Sequence, residues 1–188
     1  MKIANKQAGN AEWRAYWTLP LAAMIGYSSI ALQSYGISPF VAPLEKAFGW
    51  DRSQVMAGVT IATLLGVILN FFAGTLADRI GSRAVAITGL IVITCSFALL
   101  GTATGSSLNW KLLWAGIGIG TVLVQSTIWT RAIASRFDHA RGTAFAVALT
   151  GTPIASMILP VGAAALTDAY GWRGGFAGVG LLWLAVAL

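Results

Sequence analysis

Charged side chains are scarce in this sequence. Of its 188 residues, 10% are charged and 57% are hydrophobic, whereas a soluble domain carries about 25% charged residues. So few charges cannot hold a protein in water, which predicts that lipid surrounds most of the chain. Twelve basic residues exceed six acidic ones, but they fall in short gaps between apolar runs. They therefore indicate orientation in a membrane and not a nucleic-acid partner.

Residue types that carry catalysis are equally rare. The single cysteine, Cys95, lies inside an apolar run, and the single histidine, His139, lies in a charged gap. One thiol excludes an intrachain disulfide, and no cluster of His, Cys, Asp or Glu marks a metal site or an active site. We therefore expect a protein that is not an enzyme and that has no metal and no cofactor.

Uncharged runs make up most of the remaining sequence. A helix needs about 20 apolar residues to cross a bilayer, and five runs reach this length, followed by a shorter sixth that stops at Leu188 without a polar flank. Barrel strands would be about ten residues long and would alternate in polarity, so these runs predict helices. We expect an all-α polytopic membrane protein with a cytoplasmic tail over 1–15 and a six-helix bundle over 16–188. The predicted spans are 16–43, 54–77, 84–104, 110–133, 142–166 and a truncated 174–188.

The distribution of basic residues predicts the orientation. With the amino terminus in the cytoplasm, eight Lys and Arg residues lie inside and four lie outside, as the positive-inside rule requires. Trp17, Trp50, Trp110 and Trp172 fall close to predicted span ends, where amphipathic rings prefer to lie. We expect a multi-pass protein of the plasma membrane, specifically a bacterial inner membrane, in contact with the lipid bilayer.

Two gaps between predicted spans share one pattern. Residues 76–83 read Leu-Ala-Asp-Arg-Ile-Gly-Ser-Arg, and residues 166–173 read Leu-Thr-Asp-Ala-Tyr-Gly-Trp-Arg. Three predicted spans separate the two copies, so they would face opposite sides of the membrane. This arrangement is typical of a 3+3 inverted repeat. The alternative is that each tight loop independently uses Asp as a helix cap and Gly for a left-handed turn.

The segment 74–83 resembles the signature loop of the major facilitator superfamily, Gly-x-Leu-Ala-Asp-Arg-x-Gly-x-Arg, between spans two and three. Segments 48–55 and 136–173 resemble one branch, the monocarboxylate porters and oxalate/formate antiporter-like proteins. Many antiporters of the superfamily carry an Arg where this sequence has Leu112, four residues before the Gly116-x-Gly118-x-Gly120 stretch. This departure weakens a drug/proton antiporter interpretation.

The resemblance implies the amino-terminal half of a twelve-span secondary transporter that works by alternating access, with its carboxy-terminal six-helix half missing from this chain. The branch implies a small-molecule substrate, an organic anion such as a mono- or dicarboxylate. A transporter of another solute class and a non-transporting accessory half-protein remain as alternatives. The resemblance further implies that the signature loop forms a gate; the alternative is that its basic residues serve only to orient the protein in the membrane. The gate residues are Gly74, Asp78, Arg79, Gly81 and Arg83.

Polar side chains within apolar runs are candidates for the substrate cavity, because a polar group facing lipid is costly. These candidates are Tyr27, Tyr35, Asn70 and Gln125, and for each the alternative is an interhelical hydrogen bond. Arg131 is predicted either to extend to the inner surface or to contact a substrate carboxylate at the inner mouth of the cavity.

Small residues predict where helices pack and bend. Gly116 and Gly120 are spaced for close helix packing, which we expect inside the bundle and not at a dimer interface. Gly151 and Pro153 form a predicted flexing point in span five, because Pro frees a backbone carbonyl and kinks a helix.

Overall fold

The computed structural model describes residues 2–187, including the side chains of 7–125 and 127–187. This part of the chain forms nine α-helices joined by short connections. They are α1 (Lys2–Tyr16), α2 (Thr18–Ser34), α3 (Val41–Phe48), α4 (Arg52–Ile80), α5 (Ser82–Leu99), α6 (Ser107–Leu123), α7 (Ser126–Ala134), α8 (Arg141–Leu149) and α9 (Gly151–Ala187). Short 3-10 helices occupy Ser38–Phe40 and Leu100–Thr102. No strand occurs within residues 2–187, so the predicted all-α class is confirmed.

Several helical stretches are long and apolar enough to cross a bilayer. By length and composition these are Arg52–Ile80, Ser82–Thr102, Ser107–Ala134 and Arg141–Ala187. A fifth is obtained when Gln7–Tyr16 and Thr18–Phe48, which are bent by 64° relative to each other, are taken as one broken span. Helical backbone satisfies its own hydrogen bonds, which is the condition for residing in lipid.

The stretch Arg141–Ala187 folds back on itself at Gly171. Its 47 residues would extend about 70 Å as one straight helix, more than twice the roughly 30 Å hydrocarbon core. Gly171 interrupts α9 with φ 71° and ψ 170°, a conformation that L side chains rarely adopt. A β-carbon added at Gly175 would lie 2.6 Å from Thr167 Oγ1, and one added at Gly178 would lie 3.2 Å from a Leu166 methyl. The arms 151–170 and 172–187 therefore form a tight antiparallel hairpin.

One end of the bundle is closed by aromatic side chains. The Phe40 and Phe176 rings are stacked with centroids 3.7 Å apart, and Phe97 meets both edge-on. Around them lie three tryptophans: Trp50 between α3 and α4, Trp110 in the first turn of α6, and Trp172 beside the break in α9. We call this the aromatic end. Its edge-to-face pairs hold the start of α6 against the α3–α4 connection and the break in α9, and they add to the burial of large apolar areas.

The opposite end, which we call the ionic end, carries polar contacts. It holds α1, the turn at Gly81 and the connection 135–140 between α7 and α8. Successive connections thus alternate between the two ends, as expected when each long helical stretch crosses from one end to the other.

Helix packing supports the predicted inverted repeat. The helix α4 packs along α6, and α2 packs along α8 and the first arm of α9. The two copies of the repeated pattern also share backbone geometry, since Gly81 (φ 88°) and Gly171 (φ 71°) each make a turn between antiparallel helices. Gly81 lies at the ionic end and Gly171 at the aromatic end, so the copies face opposite ways.

Candidate functional site

The signature loop supplies one half of an ion pair that sequence reasoning missed. The guanidinium of Arg131, in α7, donates a hydrogen bond to the carboxylate of Asp78, near the end of α4. Both side chains are more than half exposed, at 56% for Arg131 and 62% for Asp78. An exposed pair of this kind contributes only about 0–1 kcal/mol. The pair therefore joins α4 to α7 weakly enough to be broken and remade.

Beside this pair lies a cavity of about 490 Å³ between α4 and α7, which we call the α4–α7 cavity. Asn70, Thr127 and Arg131 supply its polar groups, and the rest of its wall is mainly apolar. Its lining residues are Val67, Asn70, Phe71, Gly74, Ala77, Thr127, Ile128 and Arg131. The structure thus brings together three residues singled out from the sequence: Asn70, Gly74 and Arg131.

The remaining residues of the signature loop have different surroundings. Gly81 adopts φ 88° at the junction of α4 and α5, where a side chain would be strained. Arg79 and Arg83 are exposed and make no ion pair with any described residue. Nothing in the described chain lies within 4 Å of a β-carbon added at Gly74 or at Gly81, so neither glycine is in close contact with a neighbouring helix there.

The other cavity candidates lie outside the α4–α7 cavity. Tyr27 is buried at 6% exposure, and its hydroxyl lies 3.4 Å from Thr130 Oγ1 in α7. Tyr35 is 46% exposed and caps the carboxyl end of α2. Gln125 immediately precedes α7 with an extended ψ of 151°, and this residue separates α7 from α6. Tyr35 and Gln125 therefore mark breaks in the first and fourth predicted spans.

A polar network that sequence reasoning passed over joins three helices. Gln33, at 9% exposure, donates from Nε2 to Thr63 Oγ1 at 3.2 Å, and its Oε1 accepts from Thr121 Oγ1 at 2.8 Å. The network connects α2, α4 and α6 in the interior. A buried amide with both ends bonded fixes the relative register of these helices. The signal in the sequence was a glutamine within an apolar run.

The predicted tail contains the helix α1, which docks on the connection 135–140. The Glu12 carboxylate accepts hydrogen bonds from the backbone N–H groups of Asp138 at 3.1 Å, His139 at 3.0 Å and Ala140 at 2.9 Å. Trp13 Nε1 donates to Thr143 Oγ1 at 3.1 Å. We call these contacts the Glu12 clasp. The amide N–H groups of His139 and Ala140, followed by that of Asp138, lower the pKa of Glu12 below its ordinary 4.5.

The predicted packing glycines contact specific neighbours. A β-carbon at Gly116 would lie 2.6 Å from Ser96 Oγ, and one at Gly120 would lie 2.6 Å from the Ile93 backbone N, so both face α5. At Gly151 it would lie 1.9 Å from the Met24 carbonyl oxygen, and this contact brings the start of α9 against α2. Pro153 is exposed in the first turn of α9, where its missing N–H removes no helix hydrogen bond.

Comparisons with known proteins agree on one family. The model of the Major Facilitator Superfamily matches residues 23–188. The chain is 30% identical over 151 residues to the MFS-type transporter YcxA of Bacillus subtilis (strain 168), covering 79% of this chain and 36% of that protein. It is 30% identical over 172 residues to the MFS-type transporter Rv1250 of Mycobacterium tuberculosis, covering 89% and 29%.

A third relative has a more specific name. The chain is 26% identical over 155 residues to the multidrug resistance protein MdtM of Escherichia coli (strain K12), covering 82% of this chain and 37% of that protein. The chain therefore spans about a third of the length of the curated relatives it matches.

Proposed function

Because the chain belongs to the major facilitator superfamily, we propose that it forms the amino-terminal half of a secondary transporter that moves small organic anions, such as mono- or dicarboxylates, by alternating access. The superfamily consists of transporters, so the chain is a membrane protein and not an enzyme. The branch of monocarboxylate porters and oxalate/formate antiporter-like proteins stays part of this proposal. It rests on the resemblance of segments 48–55 and 136–173.

The observation that carries the anionic substrate is the position of Arg131. Its guanidinium lines the α4–α7 cavity together with the Asn70 amide. A guanidinium can bind a carboxylate through two parallel hydrogen bonds, and the apolar remainder of the wall suits a short carbon chain. We propose that Tyr35 and Gln125 extend the substrate path beyond this cavity, where spans one and four are broken.

The Asp78–Arg131 pair supplies a gate for the same cavity. A substrate carboxylate and the Asp78 carboxylate would compete for one guanidinium, so binding of the anion weakens the contact between α4 and α7. A ligand shifts a conformational equilibrium only by its difference in affinity for the two states. In this proposal that difference arises because Arg131 has an intramolecular partner in one state and a substrate partner in the other.

The proposed topology has six spans in this half, with the amino terminus in the cytoplasm. A second six-helix half would face the α4–α7 cavity and complete a substrate site near the midplane. The exposed apolar residues Val67 and Phe71 and the open surface at Gly74 support this placement, because they line the cavity without a neighbour in the described chain.

Uptake of labelled acids tests the proposal. Proteoliposomes containing the complete protein should accumulate a labelled mono- or dicarboxylate. Arg131→Gln should reduce this uptake at least tenfold, because a charge-assisted carboxylate contact is worth about 1.5–3 kcal/mol. Arg136→Gln is the matched control, since Arg136 lies at the same end but over the Tyr16 ring, outside the cavity. Failure to move any organic anion would reject the substrate class while leaving the fold intact.

A second candidate is a transporter of larger amphipathic compounds. The similarity to a multidrug resistance protein and the mainly apolar wall of the α4–α7 cavity favour it. The discriminating measurement is transport of a lipophilic dye by the same proteoliposomes. Dye movement that is insensitive to Arg131→Gln and is not inhibited by carboxylates would favour this candidate over the first.

A further inference from the structure

A second concave surface lies on α4, away from the α4–α7 cavity. It is a groove of about 480 Å³ between α4 and α6, which we call the α4–α6 groove. Its wall is almost entirely apolar, with Phe72 and Leu76 on α4 and Ile119 on α6 among its exposed members. The Thr75 hydroxyl donates to the Phe72 carbonyl oxygen at 2.8 Å, so this polar group needs no partner from a ligand. The groove therefore suits a hydrocarbon chain.

The groove and the cavity occupy opposite faces of α4. Positions 67, 70, 71 and 74 line the cavity, and positions 69, 72, 73 and 76 line the groove. Both sets follow helical spacing, and they are displaced by two residues, which is about 200° around a helix with 3.6 residues per turn. The face of α4 that forms the groove is thus turned away from the proposed substrate path.

A basic residue stands at one end of this apolar groove. Arg79 contributes to its wall and lies one residue beyond Asp78, at the ionic end. The Asp78 carboxylate is held by Arg131 on the other side of the helix. Within the described part of the chain Arg79 forms neither an ion pair nor a hydrogen bond. A positive charge that has no partner among the described residues, at the end of an apolar groove, suits an anionic group attached to a hydrocarbon chain.

From this arrangement we propose that the α4–α6 groove binds one anionic phospholipid, with an acyl chain along Phe72, Leu76 and Ile119 and the headgroup phosphate on Arg79. The helices that form the groove are long and apolar enough to cross a bilayer, so a lipid reaches the groove by lateral diffusion. Arg79 stands at the end of the apolar stretch of α4, where the phosphates of one leaflet lie. Guanidinium and phosphate pair with good geometry.

The lipids that stay bound during purification test the proposed phospholipid site. The full chain would be purified from a bilayer containing phosphatidylglycerol and phosphatidylcholine with identical acyl chains, and the retained lipids would be counted by native mass spectrometry. The wild type should retain phosphatidylglycerol in preference. Arg79→Gln should lower that preference about fivefold, the equivalent of one basic residue near an anionic membrane surface, and Arg79→Lys should restore most of it.

Further variants distinguish the contribution of the apolar groove to lipid binding from that of the Arg79 charge. Leu76→Trp should fill the groove and reduce retention of both lipids, whereas Leu64→Trp, at another exposed position of α4, should not. Arg14→Gln removes an exposed charge elsewhere on the chain and should leave the preference unchanged. The proposal fails if Arg79→Gln retains phosphatidylglycerol as the wild type does, or if Arg14→Gln lowers the preference equally. Circular dichroism of each variant checks that it is folded.

Discussion

Arg131 shows how one side chain acquires a role that depends on its surroundings. It lies in the last turn of α7, where a basic side chain is favoured by the helix dipole. Its guanidinium pairs with the Asp78 carboxylate and also lines the α4–α7 cavity. Because the Arg131 and Asp78 side chains are both more than half exposed, breaking the ion pair costs little free energy. In our proposal, Arg131 therefore takes part both in the gate, through Asp78, and in substrate binding.

The Asp78→Asn change tests the gate at this scale. It should slow transport by up to about fivefold, the ratio that corresponds to an exposed ion pair of about 1 kcal/mol, without changing membrane insertion. Initial uptake rates and the amount of protein in the membrane are the measurements. Asp138→Asn is the control, because Asp138 pairs with Arg141 at 3.0 Å away from the cavity. Unaltered transport by Asp78→Asn would count against the gate.

A second prediction at the residue scale concerns the Glu12 clasp. Glu12→Gln should speed hydrogen exchange of the amides at 138–140 several-fold, because a neutral amide accepts weaker hydrogen bonds than a carboxylate. The lowered pKa of Glu12 means that the folded state favours the ionised form. The clasp should thus be intact at and above pH 4.5 and should be lost as the pH falls below that value.

The measurement is amide exchange followed by mass spectrometry at pH 7 and again in acid. Asp51 offers a comparison, since its pKa is also lowered, by the Ser53 hydroxyl and the Gln54 N–H, but at the start of α4. Asp51→Asn should leave exchange at 138–140 unchanged. If Glu12→Gln and wild type exchange equally at neutral pH, the clasp does not hold the connection.

At the scale of elements, the break between α6 and α7 depends on tertiary contacts, unlike the glycine turns at Gly81 and Gly171. The break between α6 and α7 contains neither Pro nor Gly in the sequence Val124-Gln125, whereas Pro160 lies inside α9 without interrupting it. The Trp129 indole N–H donates to the Val124 carbonyl oxygen at 3.1 Å. Its ring fills the space at Gly26, where a β-carbon would lie only 2.2 Å away. The Val124 carbonyl oxygen is thus bonded by a side chain of the next helix, and the Trp129 ring is held in place because it packs against α2 at Gly26.

Two glycines of α9 give a matched test of element packing. Gly151→Ala should destabilise the protein by about 1–3 kcal/mol, because the added carbon would overlap the Met24 carbonyl of α2. Gly162→Ala should be neutral or stabilise by up to about 1 kcal/mol, since no described residue lies within 4 Å of a β-carbon added there and Ala favours helix. Thermal unfolding in one detergent compares the two. Equal effects would show that α2 and α9 are not packed closely at Gly151.

At the scale of the whole molecule, the two ends of the bundle differ in chemistry. The aromatic end buries Phe40, Phe97 and Phe176 in a tight cluster. The ionic end holds the Asp78–Arg131 pair and the Glu12 clasp, both built from polar contacts. A packed aromatic cluster resists opening, whereas exposed ionic contacts exchange readily with water. We expect motion that opens the α4–α7 cavity to occur at the ionic end.

Cysteine labelling tests the orientation of these ends. In a Cys95→Ala background, Ser106→Cys at the aromatic end should react with a membrane-impermeant maleimide in intact cells. Ser135→Cys at the ionic end should react only after the cells are permeabilised. Both serines are exposed, so a difference in labelling reports the side of the membrane and not burial within the protein. The reverse pattern would place the amino terminus outside the cytoplasm.

The sequence by itself determined the helical membrane class and the family, because both depend on composition and on a local pattern. Apolar runs force helices in lipid, and the segment 74–83 is one short stretch that covers the end of α4, the turn at Gly81 and the start of α5. Neither pattern fixes the residue at which a helix begins or ends. The end of span one at 43 stays a prediction; the structure shows that the helix α3 runs from Val41 to Phe48, with Leu44 buried.

Only the tertiary structure decided which polar residues meet. Asp78 and Arg131 are separated by 53 positions, Gln33 and Thr121 by 88, and Glu12 and Ala140 by 128. Helical periodicity places a residue on a face of its own helix, but it carries no information on which face of another helix lies opposite. That choice follows from close packing at small residues such as Gly120 and Gly151, where the absence of a side chain lets two backbones approach and aligns distant polar groups.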